Sequence, residues 1–227
     1  RMGDGVATEQ YRQALEAAHR HALKWLGTLS DRPIRPDTDA DGVLTRLNRT
    51  LPDGRTDAAA VVEELAEAAA PGLMAMGSPR FYGFVIGGTY PAALAADWLV
   101  TAWDQNTGSR QPTPATAAVG EGAGAWLLRL PDLPSPSGGG FVTGGTMANF
   151  ACLIAARDAV LRRAGADPLA GIQQAPAVRL LAGDAVHTSM VLAGRLAGLG
   201  APRTVGADDQ GRIDVRGLQR ALGEGDG

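Results

Sequence analysis

Residues 138–150 read GGGFVTGGTMANF, an apolar run that passes through two glycines and a threonine into a helical pattern. A strand feeding through Gly144, Gly145 and Thr146 into a helix leaves free backbone N–H groups at the helix N-terminus. The helix dipole adds partial positive charge there. Glycines let an anion approach the backbone, and the Thr146 hydroxyl can donate one more hydrogen bond, so the turn reads as a phosphate cup. A tight turn with Thr146 as an ordinary helix cap fits the same residues. The next residue with chemistry to offer is His187, in LAGDAVHTS at 181–189. It lies just past a strand, on the edge of a parallel sheet where ligands collect. A flat imidazole at that edge suits a flat ring whose phosphate sits in the first cup. The alternative is a histidine that caps its own helix.

Two common phosphate sites are excluded. A nucleotide P-loop requires GxxxxGK[ST], and the chain has one lysine, Lys24, far from any such pattern. GEGAGA at 120–125 is the nearest match to a dinucleotide fingerprint, but it follows TPATAAV rather than a strand and reads as an Ala/Gly packing surface within a helix.

The elements that must position these residues are legible in outline. Apolar positions at Tyr11, Leu15, Ala18, Ala22 and Trp25 predict a helix over 8–26, with Thr8 as its N-cap. A second helix is predicted over 57–70, ended by Pro71 and Gly72. Residues 77–91, GSPRFYGFVIGGTYP, mix aromatics and glycines without period and read as a loop with exposed aromatic surface. Helices follow at 92–103 and 115–130, the second stopped by Pro131. Beyond residue 140 the pattern alternates. Strands are expected at GFVT (140–143), VRLLAG (178–183) and 203–205, with helices between them and a last helix over about 214–223. This is an α/β layer on a mostly parallel sheet. A compact sheet rarely ends on a polar turn such as GEGDG after its third strand, so the sheet is expected to be incomplete within these residues.

Composition narrows the function. With 45% apolar and 20% charged residues and a net charge of -3, neither nucleic acid nor an anionic membrane is an expected partner. No apolar stretch reaches the length of a membrane span, the first residues lack a signal-peptide core, and cytoplasm is the default compartment. Cys152 is the single cysteine, which excludes an intrachain disulfide and a cysteine-based metal cluster; no metal is expected.

Taken together, SPRFYGFVIGGTYPAALAADWL, WDQN with its downstream TPA, GGFVTGGTMANFACLIAAR, LAGDAVHTSMVLAGRLAGLG and VGADDQGRIDVRGLQRAL resemble the group II pyridoxal-phosphate (PLP) amino-acid decarboxylases of fold type I. That group includes the aromatic-amino-acid, tyrosine and glutamate enzymes. The resemblance runs over most of residues 60–223, in the family's order and spacing. It implies an N-terminal helical arm at 1–70 that contacts a second copy in a homodimer, followed at 71–227 by the first part of the PLP-binding large domain. It implies that Gly145 and Thr146 bind the PLP phosphate, with Gly144 shaping the turn, and that His187 stacks on the pyridine ring as a catalytic residue. Phe84, Val85, Ile86 and Gly87 resemble the substrate-facing loop. Asn106 and Gly108 resemble the segment that reaches the partner's active site.

The family's Schiff-base lysine and ring-nitrogen aspartate would both fall after Gly227, in a C-terminal remainder of the enzyme, and Lys24 lies outside any matching motif. The implied activity is therefore a carboxy-lyase, releasing carbon dioxide from an L-amino acid, of which this chain holds part. An aminotransferase, an aldehyde-forming enzyme of the same fold, or a non-catalytic scaffold fragment shares the same cup. Phe81, Tyr82 and Phe84 suit an apolar substrate pocket, whereas Arg80 and Arg110 suit an acidic substrate.

Overall fold

The computed structural model describes residues 4–47, 50–134 and 136–224. They divide into two compact units, Arg1–Gln105 and Asn106–Gly227. The boundary lies downstream of residue 70, where sequence alone drew the end of the arm. Most of GEGDG lies outside the described residues.

The first unit is helical. Helix α1 spans Asp4–Thr28, α2 Ala40–Leu47, α3 Ala58–Ala69 and α4 Pro91–Trp103. Helix α1 runs through Thr8 from Asp4, so Thr8 is not its N-cap; Gly5, Val6 and Ala7, which precede it, continue the helix. Helices α1 and α3 pack together, and Ala17 and Ala68 are buried on them. Arg20 and His21 of α1 both reach Glu63 of α3, His21 Nε2 at 2.5 Å from its carboxylate. Asp57 caps α3 by accepting from the Ala60 amide at 2.9 Å, and a 3-10 turn over Ala70–Gly72 ends it at Pro71. The Asp/Pro-rich connection after α1 is pinned by the Asp37 amide donating to the Pro71 carbonyl (2.8 Å) and the Ala75 amide to that of Ile34 (3.1 Å). Helix α4 starts on Pro91, whose ring presets helical φ, and stops at Asp104 in the left-handed region.

The second unit carries the α/β pattern. Helix α5 spans Pro114–Arg129, α6 Gly145–Arg163, strand β1 Leu181–Gly183, α7 Thr188–Leu196, β2 Arg203–Val205 and α8 Val215–Gly223. Strands β1 and β2 run parallel, with Leu181 opposite Arg203 and Gly183 opposite Val205. Parallel pairing needs a crossover, which α7 supplies. Helices α6 and α7 pack together. Leu161 on α6 is the largest fully buried side chain, and Ala193 and Ala197 are buried on and just after α7. The Arg157 guanidinium pairs with Asp158 at 2.9 Å and donates to the Ala197 carbonyl at 2.7 Å, tying α6 to the end of α7. Asp214 caps α8 by accepting from the Arg216 and Gly217 amides, each at 3.0 Å.

Two strand expectations need correction. Residues 140–143 are not a strand, and the expected strand over 178–183 pairs only over 181–183. A strand exists through its ladder, and among the described residues none lies beside 140–143. Phe141 and Val142 are exposed accordingly.

Candidate functional site

Helix α6 begins without a side-chain cap. Its N-cap is Gly144, at φ 150° and ψ 173° with no side chain to offer a bond. That φ lies where residues with a Cβ are strained, so glycine is required. The first turn closes with the Ala148 amide donating to the Gly144 carbonyl at 3.0 Å. The amides of Gly145, Thr146 and Met147 precede that bond and have no acceptor from the turn before. A Cβ built on Gly144 or Gly145 would meet nothing within 4 Å beyond its chain neighbours and the helix backbone, so the side of the turn that the two glycines face is uncrowded. The half-buried Thr146 stands beside it. Three amides without an acceptor among the described residues, a positive helix end and an uncrowded glycine face fit a phosphate group.

His187 is the N-cap of α7, at φ -66° and ψ 143°. Its Nδ1 accepts from the Ser189 amide at 3.1 Å and lies 2.8 Å from the Ser189 hydroxyl oxygen. The self-capping arrangement is thus realised, and it leaves the exposed ring's Nε2 outside that contact. The two helix starts are also joined directly. Asn149, one turn into α6, donates from Nδ2 to the Ser189 hydroxyl oxygen at 2.9 Å. Asn149, Ser189 and His187 therefore form one hydrogen-bonded cluster that ties the first turns of α6 to the start of α7.

The remaining expected positions lie elsewhere. Asn106 and Gly108 precede α5, where the Asn106 side-chain oxygen accepts from the Gly108 amide at 2.9 Å in a local turn. Neither shares a hydrogen bond with the 144–149 turn or His187 among the described residues. Phe84, Val85, Ile86 and Gly87 belong to the first unit, all exposed. Phe84 and Val85 have φ of 57° and 55°, a left-handed conformation that strains a residue with a Cβ and a β-branched valine most. Gly87 is obligatory: at φ 134°, a Cβ there would sit 2.5 Å from the Met76 carbonyl oxygen. Lys24 lies exposed on α1. Among the described residues no three His, Cys, Asp or Glu side chains converge as metal ligands, and no helix is long and apolar enough to cross a membrane.

Residues 41–226 match the pyridoxal-dependent decarboxylase conserved domain. The chain belongs to this family. A relative, tryptophan decarboxylase 1 of Oryza sativa subsp. japonica, is 29% identical over 182 residues, which cover 75% of this chain and 35% of the relative. L-2,4-diaminobutyrate decarboxylase of Rhizobium meliloti (strain 1021) is 31% identical over 185 residues, 77% of this chain and 34% of that one. Among solved structures, Oryza sativa TDC with PLP superposes with a TM-score of 0.79 at 26% identity, covering 95% of this chain and 48% of that chain. The chain thus spans about a third of the curated relatives just named and about half of that structure. The pyridoxal-dependent decarboxylase family uses PLP.

Asn149 and Ser189 were not singled out by sequence reasoning. Their signal was present, an Asn one turn past the glycines and a Ser two residues after the histidine, but it acquires meaning only when α6 and α7 pack.

Proposed function

We propose that this chain supplies the phosphate turn and the ring-facing histidine of a PLP-dependent amino-acid decarboxylase, a carboxy-lyase that releases carbon dioxide from an L-amino acid. The observation that carries the reading is the uncapped glycine start of α6, a helix joined through Asn149 and Ser189 to His187. The amides of Gly145, Thr146 and Met147 and the Thr146 hydroxyl would hold the phosphate. When bound, PLP supplies an electron sink for the pair left behind as carbon dioxide departs. His187 would lie against the cofactor ring, orient the substrate carboxylate and hold a proton at Nε2. The lysine and the ring-nitrogen carboxylate are assigned to residues outside 1–227.

Tyr11, Leu15, Leu23 and Leu26 of α1 are among the exposed apolar residues, which suits an arm that meets a second copy in a homodimer. Phe84–Gly87 would face substrate, and Asn106 and Gly108 would reach the partner's site. Both arginines that suit an acidic substrate are already engaged: Arg80 donates to the Arg32 carbonyl at 2.6 Å, and Arg110 pairs with Glu121 at 3.4 Å. Tyr82 and Phe84 stand exposed. This supports a substrate without an acidic side chain.

Thr146→Ala and His187→Ala in the full-length protein test the assignment. Loss of a hydroxyl bond to a charged phosphate weakens PLP retention about tenfold. His187→Ala is expected to slow turnover of the amino-acid substrate more than it weakens retention. Unchanged retention and turnover in both variants would defeat the site. Borohydride reduction followed by mass spectrometry of the full-length protein tests the missing lysine. A pyridoxyl group on a lysine beyond residue 227 is expected, and one on Lys24 overturns the division of labour.

A further inference from the structure

The cluster between the two helix starts has a direction. The Ser189 amide can only donate, and it lies 3.1 Å from His187 Nδ1. Nδ1 therefore carries the lone pair, and in the neutral ring the proton sits on Nε2. The Ser189 hydroxyl is 2.8 Å from the same Nδ1. With no proton on Nδ1, that hydroxyl must be the donor, and its oxygen lone pairs must be filled from elsewhere. Asn149 does this: its amide Nδ2 donates to the Ser189 oxygen at 2.9 Å, which orients the hydroxyl proton toward the ring. Both Asn149 and Ser189 are half-buried, whereas His187 is exposed. The partners that aim the ring are thus sheltered, and the ring they aim is presented outward.

We propose that Asn149 and Ser189 are positioning residues for His187, fixing its Nε2–H tautomer and ring orientation from behind. The proposal rests on the role assigned to His187 above. It adds two side chains, Asn149 and Ser189, that reinforce the preference for a proton on Nε2 set by the Ser189 amide and hold the ring in place. A histidine that merely capped α7 would need the Ser189 amide alone. The Asn149 contact crosses from α6 to α7 and contributes nothing to that cap.

The test reads the imidazole directly. In the full-length protein labelled with ¹⁵N-histidine, His187 is expected to show a bare Nδ1 and a protonated Nε2. Ser189→Ala removes the hydroxyl donor, and Asn149→Ala removes the amide that aims the Ser189 proton at the ring. Both raise the Nδ1-protonated share, and Ser189→Thr keeps the wild-type pattern. The same two disruptive variants lower kcat about fivefold, the worth of one ordinary hydrogen bond, with KM and PLP retention unchanged. An identical nitrogen pattern in all four proteins overturns the proposal even if PLP is bound normally. A wild-type protein that shows the expected tautomer but does not retain PLP overturns the cofactor reading and leaves the positioning intact.

Discussion

Helices α6 and α8 lie in the same compact unit and begin in opposite ways. Helix α8 carries its own acceptor, Asp214, which receives the Arg216 and Gly217 amides and neutralises the helix end internally. Helix α3 in the first unit does the same with Asp57. Helix α6 begins with Gly144, which has no side chain to accept from the first amides. A side-chain cap is worth about 1 kcal/mol, so a helix start without one forgoes stability that its neighbours keep. Helices α4 and α5 also lack a side-chain cap but begin on proline, whereas α6 begins on glycine, and it is this helix end that is proposed to receive an anion from outside the polypeptide.

The largest test of this comparison gives α6 what α8 already has. Gly145→Asp supplies a carboxylate at the first helical position, where it favours the helix and repels a phosphate. Like-charge juxtaposition costs several kcal/mol, so PLP retention after dialysis is expected to fall at least about a hundredfold while helix content by circular dichroism is unchanged. Retained PLP would mean that the phosphate sits elsewhere. The reverse operation is smaller. Asp214→Ala leaves α8 uncapped and is expected to lower stability by about 1 kcal/mol in denaturant titration, with PLP retention unaltered.

The smallest effect lies at the arm. The hydrogen bond from His21, reinforced by the charge of Arg20, holds the Glu63 carboxyl below its ordinary value of 4.5. A lowered folded-state value means that the contribution of Glu63 to the α1–α3 pairing is fully present above 4.5 and lost as pH falls through the lowered value. Glu63 is an exposed partner, so Glu63→Gln is expected to lower Tm at pH 6 by only about a degree or two. The gap between variant and wild type should close on acidification. A gap that widened in acid would remove His21 and Arg20 as its cause.

What the sequence disclosed follows the range of the interactions concerned. Helices α1, α3, α4, α5, α7 and α8 were readable because their apolar spacing and their Pro and Gly stops are local. The glycine turn at 144–146 was readable for the same reason. The non-strand at 140–143 was not, because Phe141 and Val142 look like a strand in isolation and only a neighbouring ladder decides the matter. The left-handed pair Phe84–Val85 was hidden by residue types that disfavour that conformation. The Asn149–Ser189 contact joins residues 40 apart and exists only through the packing of α6 on α7.

The order of donors from Asn149 through Ser189 to His187 also limits traffic. A side-chain amide neither releases nor accepts a proton near neutral pH, so the line that ends in Asn149 is closed at its inner end. In the role proposed for His187, a proton handed over at Nε2 would return through Nε2. The histidine would then work as a port with a single door, and a substrate sealing its outer face would also decide when the port is recharged.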